Sequence, residues 1–239
     1  MMTPFSWTNC YADVQTSMHD KTIRAYFSDV IAPSIDTLEQ RIGELKKSSD
    51  PLDHFTQSDT LDVLQEAKLA FALSIQSIWE RQLRAYLAGC AKELRPDENL
   101  KTKVEKANWD ALQKIFRDLR GLGLDGFPSF ALLDELQHLG NACRHGDGKS
   151  ATLLYQHSPN LWKPIPSMPD GFGVASSEPP SVSLLDISLD HLRHFTEAVA
   201  QFWDDTTYIY NESIEHKHPS LEARLALERK TRHWIPVGD

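Results

Sequence analysis

SDTLDVLQEAKLAFALSIQSIWERQLRAYLAGCAKEL, residues 58–94, carries the strongest helical pattern in the chain. Leu61, Leu64, Ala67, Phe71, Ile75, Ile78, Trp79, Leu83, Tyr86 and Leu87 recur every three or four residues, the spacing that lines one face of an α-helix. Ser58 or Asp59 offers a side-chain oxygen to the first unpaired N–H groups. Arg95-Pro96 closes the segment, because the residue before a proline is driven out of the helical region. Such a length suggests the central strut of a helix bundle.

On the N-terminal side, Ile23, Phe27, Ile31, Ile35, Leu38, Ile42 and Leu45 predict a helix near Thr22 to Lys47, kinked or divided at Pro33. Ser48-Ser-Asp-Pro51 separates it from the long helix. On the C-terminal side, Trp109, Leu112, Ile115, Phe116 and Leu119 predict a shorter helix, broken by Gly121-Leu-Gly-Leu-Asp-Gly126. Ser129 is placed to cap a helix through Phe130, Leu133, Leu136 and Leu139 that stops at Gly146, and Ser150 starts a short turn through Leu153, Leu154 and Tyr155. Six of the 13 prolines then fall between Ser158 and Pro180, which predicts a long irregular arm, anchored by Trp162, Met168 and Phe172 on the protein's own core or on a second subunit. Ser181 to Ile187 fits a short edge strand. Leu189, Leu192, Phe195, Val199, Phe202, Trp203 and Ile209 mark a last long helix, and Pro219 opens a basic C-terminal one from Ser220 to about Arg232, read as a solvated helix by default and as a nucleic-acid contact in the sharper alternative. The expected fold class is all-α, an up-and-down helical bundle. Residues 1–157 form its core, 158–187 the proline-rich arm, and 188–239 additional C-terminal helices packing on the same domain.

Composition narrows the function classes. Among 239 residues, 41% are apolar and 25% charged, so the chain can bury a real core. The net charge of −9 argues against a non-specific nucleic-acid coat, while leaving room for a local basic cleft. Cys10, Cys90 and Cys143 have no pair spacing, form neither a disulfide framework nor a zinc knuckle, and suit the reducing cytoplasm. Met1 to Trp7 lack the basic and apolar regions of a signal peptide, and the longest apolar run, Leu69 to Leu73, is far too short for a bilayer; no membrane role is expected.

The chemistry concentrates in Asp134-Glu-Leu-Gln-His-Leu-Gly-Asn-Ala-Cys-Arg-His-Gly-Asp-Gly148. Asn141 and His145 are four residues apart and share a helix face, with Arg144 adjacent. His145 stands in the last turn before Gly146, where the carbonyl end of the helix attracts a cation. Arginine can hold phosphate oxygens and histidine can move a proton to or from a ribose or leaving oxygen, so the group suits a phosphodiester. A plainer reading is a polar helix end whose Arg and His only cap carbonyls.

Glu135 to Ser150, together with Ser77 to Leu87, resembles the HEPN superfamily, in which an early long helix carries a Glu-x-x-x-Arg-like face and a later helix ends in Arg-Asn-x-x-x-His, often followed by Gly. Here Glu80 and Arg84 stand on the first helix, and Asn141, His145 and Gly146 match the second motif. The resemblance covers roughly residues 65–150. It implies a bundle of four or five helices that forms a homodimer with two helix ends in one cleft. It further implies a metal-independent endoribonuclease of a toxin–antitoxin, phage-defence or stress system, with RNA as substrate and an antitoxin or other protein as partner. In that picture His145 is the general acid or base, Arg144 holds the phosphate, Asn141 donates or accepts a hydrogen bond, and Glu80 supports the histidine. The family's arginine would stand at position 140, where this chain has Gly140. That departure keeps open a catalytically silent dimer that binds a protein or nucleotide.

Glu80 and Arg84 also fit an ordinary i,i+4 surface ion pair. Glu135-x-x-His138 has the spacing of a di-iron helix pair, and His191, His194 and Glu197 share a face, but neither has a matching partner, so no metal or other cofactor is expected. Gly148-Lys-Ser150 imitates the end of a phosphate loop without its first glycine or its preceding strand.

Overall fold

The computed structural model describes residues 5–163 and 180–237. They form the helices α1 (Tyr11–Gln15), α2 (His19–Tyr26), α3 (Ala32–Leu45), α4 (Pro51–Leu94), α5 (Leu100–Lys106), α6 (Trp109–Arg120), α7 (Phe130–His145), α8 (Lys149–His157), α9 (Leu189–Glu212) and α10 (Pro219–Thr231). The fold is an all-α helical bundle. Among the described residues the only strand-like pairing is a single antiparallel bridge between Trp162 and Leu185, and no helix is long and apolar enough to cross a membrane.

Local chemistry explains the element boundaries, including those that differ from expectation. The long helix starts at Pro51, ahead of Ser58. Asp50 Oδ1 accepts from Leu52 N–H at 2.9 Å, and proline suits the first helical position because its missing N–H would be unpaired there anyway. Ser58 and Asp59 therefore lie inside α4 and cap nothing. The expected first helix begins at His19 and is divided by a π-helical turn, Phe27–Ile31, just before Pro33. Proline cannot donate to the ladder, and a widened turn is one way a helix absorbs that loss. The segment α5 was not anticipated, since its apolar content amounts to Leu100 and the buried Val104. Asn108 caps α6 through Ala111 N–H, and Gly121 ends it at φ +66. Ser129 does not cap α7 as expected: its hydroxyl is buried with no partner among the described residues. Ser181 to Ile187 is not a strand either. Val182–Leu184 forms a 3-10 turn whose first N–H is taken by Asp147 Oδ1 at 2.7 Å.

The chain divides into two compact units, with the divisions falling inside α2, α4, α7 and α9. One, of residues 24–77, 132–163 and 180–196, is built on Ile31, Ile35, Ile75, Leu136, Leu139, Leu185, Ile187 and Leu192, all fully buried. Tyr26 Oη and Ser74 Oγ meet at 2.8 Å, and Gln65 Nε2 donates to the Leu185 carbonyl. Trp162 is buried on the protein's own core, its indole N–H shared at 3.1 Å between the Pro180 and Ser181 carbonyls. Met168 and Phe172, the other expected anchors of the arm, lie outside the described residues.

The other unit, of residues 5–23, 78–131 and 197–237, is aromatic at its centre. Trp79 meets Phe202 edge-on at 4.7 Å between centroids, and Trp203 stands edge-on to both Trp79 and Tyr86. Such edge-to-face pairs add about 0.5–1.5 kcal/mol beyond the area they bury. In this unit the basic C-terminal helix is docked by ion pairs and is not simply solvated. Arg229 spans both oxygens of Glu212 at 2.7 Å and reaches Glu222, while Arg232 pairs with Asp204 and Asp205 and lies 4.3 Å over the Tyr208 ring. Glu212, Asp204 and Asp205 are on α9 and Glu222 on α10 itself, so Arg229 and Arg232 are paired inside the chain.

Asp205 is fully buried, with Gln201 and Arg232 on Oδ1 and no partner for Oδ2 among the described residues. Burial raises its pKa from the ordinary 3.8 to about 6, despite the pull of Arg232. The folded protein thus holds this proton more tightly than the unfolded chain. The associated stability is complete below 3.8 and is lost as pH rises through about 6. Thermal melts of the wild type and Asp205→Asn should therefore show the wild type losing ground to the variant between about pH 4 and pH 6. A difference moving the other way contradicts the assignment.

Candidate functional site at the end of helix α7

Helix α7 stops because Gly146 takes the left-handed conformation, φ +73, with its N–H returning to the Ala142 carbonyl at 2.8 Å. Only glycine does this without a steric penalty, so the position of His145 in the final turn follows from the residue after it. His145 and Arg144 are exposed and Asn141 is half-buried, one turn earlier. No hydrogen bond of the His145 ring is found among the described residues, so it is not a carbonyl cap.

Arg144 is held in place from below. Its NH2 group donates to Gln76 Oε1 at 3.1 Å and to Ser77 Oγ at 3.4 Å. Gln76 is fully buried, and its Nε2 donates to Oε1 of the buried Gln137 at 3.1 Å. Two buried amides therefore transmit the packing of the unit to one guanidinium at its surface. Buried amides need such partners, because an unmade bond costs roughly 1–3 kcal/mol.

Gly140 explains why the amides can meet. A Cβ built there would lie 2.4 Å from Gln76 Cγ and 2.7 Å from Gln76 Cβ. The backbone of α7 thus rests directly on the root of the Gln76 side chain, and no larger residue fits without movement. The position where the resembled family would carry arginine is a buried packing contact in this chain. Arg144 supplies the guanidinium at this helix end instead.

Gln76, Gln137 and Ser77 were missed in the sequence, although a signal exists. Gln76 continues the buried row of Ala72, Ile75 and Trp79, and Gln137 continues that of Leu133, Leu136 and Gly140. Glutamine in a core row on two helices points to a mutual hydrogen bond.

The remaining candidates are occupied by structural work. Glu80 Oε1 accepts from Arg84 Nε at 2.8 Å and NH2 at 2.7 Å, and Arg84 also donates to the Val104 and Ala107 carbonyls. This ion pair pins the end of α5 and belongs to the compact unit that does not contain His145. Glu135 accepts from Ser158 Oγ, and His138 stands 3.8 Å from Asp134. His191 Nδ1 accepts the Ser188 N–H at 3.1 Å while Ser188 Oγ accepts that of His191, a reciprocal cap for α9. Among the described residues no group of three or more His, Cys, Asp or Glu side chains is arranged to hold a metal.

Replacing Gly140 by alanine gains about 1 kcal/mol of intrinsic helix preference, but crowding of a packed contact typically costs about 1–3 kcal/mol. Crowding should win, because the atoms in the way are the root of Gln76 and not its flexible end. Chemical denaturation of Gly140→Ala should show a net loss of up to about 2 kcal/mol. A stabilised variant would mean that the contact is loose.

Comparison with known protein families, characterised proteins and solved structures gave no match for this chain.

Proposed function

We propose that the end of α7 is a phosphate-handling site and that the protein is a metal-independent endoribonuclease of the HEPN type. The observation that carries this reading is an exposed histidine in the last helical turn, next in sequence to an arginine whose guanidinium is oriented by buried Gln76. Orientation matters because a positioned cation needs less reorganisation when charge develops on phosphate. The His145 imidazole takes the proton of a ribose 2′-hydroxyl, the 2′-oxygen attacks the adjacent phosphorus, and the 5′-oxygen leaves with a proton from a second acid. Arg144 holds the non-bridging oxygens, and Asn141 steadies the substrate or the ring. A homodimer supplies the second acid as the His145 of another copy. The products are a 2′,3′-cyclic phosphate and a 5′-hydroxyl, and no metal or other cofactor takes part. Cytoplasmic action in a stress or phage-defence system, restrained by an antitoxin, fits such an activity.

A second reading is favoured by Gly140. The resembled arginine is replaced by a packing contact, so the site retains one cation at this helix end. A catalytically silent dimer that binds RNA, a nucleotide or a protein through the same surface meets that limit.

Incubation of cellular RNA with purified protein in a chelator separates the two. The first reading expects fragments ending in 2′,3′-cyclic phosphate and a loss of about 10²–10⁴-fold in rate for His145→Ala. Equal cleavage by both proteins, or cleavage by neither, removes the enzyme. RNA retention by an inactive wild type, weakened by Arg144→Ala, is the result that the second reading expects.

A further inference from the structure

Cys10 and Cys90 are 80 positions apart in sequence, yet their sulfur atoms lie 3.5 Å apart in the compact unit built from α1, α6 and the C-terminal half of α4. Cys90 is fully buried and Cys10 is 7% exposed. An S–S bond of about 2.05 Å requires a closure of roughly 1.5 Å.

The surroundings of the pair are charged, unlike those of an ordinary buried cysteine. Arg120 NH1 is 3.9 Å from Cys10 Sγ. The guanidinium is fixed by Asp13 at 2.9 Å, by the Thr8 carbonyl at 3.2 Å, and by the Trp7 ring 3.9 Å beneath it. Asp13 in turn accepts the Cys10 N–H at 2.8 Å and the Tyr86 hydroxyl at 2.9 Å. A buried cation beside one thiol of a touching pair is the setting in which a thiolate forms and reacts.

We propose that Cys10 and Cys90 form a dithiol oxidation site for a small hydroperoxide, with Cys10 as the attacking thiol and Cys90 as the resolving one. The Cys10 thiolate attacks the peroxide's terminal oxygen, the O–O bond breaks, and water or the corresponding alcohol leaves after protonation. Cys90 sulfur then attacks the Cys10 sulfenic acid, the S–S bond forms, and the departing hydroxide takes the Cys90 proton to become water. Two electrons pass from the dithiol to the peroxide, and a thiol reductant reverses the cross-link.

The two thiols divide these roles by environment. The sulfur contact with Cys90 lowers the Cys10 pKa, helped by Arg120 and opposed by burial and by Asp13. The same contact and burial raise that of Cys90, so Cys10 is the thiol that ionises first, and Cys90 gives up its proton only as its sulfur attacks. Cys143 belongs to the other unit, and burial pushes its pKa up to about 12. It serves as an internal control. The small exposure of Cys10 selects a compact oxidant over a bulky disulfide.

The test treats the full chain with hydrogen peroxide, alkylates it in denaturant and maps the peptides by mass spectrometry. Expected are a Cys10–Cys90 cross-linked peptide about 2 Da lighter than the two thiol peptides together, an alkylated Cys143, and recovery of three thiols after reduction. In Cys90→Ser, dimedone should trap a sulfenic acid on Cys10. Oxidised glutathione should form the cross-link at least about tenfold more slowly than peroxide. Three alkylated thiols after peroxide, or oxidation of Cys143 ahead of the pair, overturns the site. Trapping at Cys90 in Cys10→Ser, as fast as at Cys10 in Cys90→Ser, overturns the assignment of roles. Equal rates with both oxidants overturn the selectivity.

Discussion

One close approach organises the unit that carries the candidate site. At Gly140 the backbone of α7 lies against the first carbons of the Gln76 side chain, and no Cβ fits between them. This contact sets the depth of Gln76, lets its amide meet Gln137, and turns its oxygen towards Arg144. Together with Gly146, which stops the helix one residue after His145, it fixes where an arginine and a histidine reach solvent. Two glycines thus build the helix end by different means. One permits contact and the other permits a left-handed turn.

The same contact bears on the resemblance to HEPN proteins. A family arginine at position 140 would have to occupy space that the root of Gln76 fills. Arg144 stands one turn later, beside His145 and supported by a buried amide.

Much of the fold was legible because periodicity is dense where burial is dense. The row from Leu64 to Leu87 announced α4, and Gly121 and Gly146 announced the ends of α6 and α7. Boundaries were less legible where polar residues extend a helix beyond its apolar row. Pro51 to Gln57 contribute no buried residue, and only the Asp50-Pro51 start marks them as helical. The seven residues of α5 bury Val104 alone, too little to show as a period. Ser181 to Ile187 looked strand-like because apolar residues outnumber polar ones, but Val182–Leu184 coils into a 3-10 turn held by Asp147, which leaves only Leu185 to pair with Trp162. At the site, the exposed His145 and Arg144 could be chosen from residue type. Their support could not, since Gln76 and Gln137 look like ordinary polar residues until helix pairing is known. The sulfur pair of Cys10 and Cys90 was hidden in the same way, by a separation that only the fold closes.

The central claim is that Arg144 and His145 act together on a phosphodiester. It is tested most directly by nuclear magnetic resonance on protein labelled in its arginine and histidine side chains, titrated with a short 2′-deoxy oligonucleotide that cannot be cleaved. The Arg144 guanidinium and His145 imidazole signals should move together and saturate at one ligand concentration, while those of Arg117 and His218 stay in place. Signals at Arg144 and His145 that do not respond, or that respond at different concentrations, would contradict it.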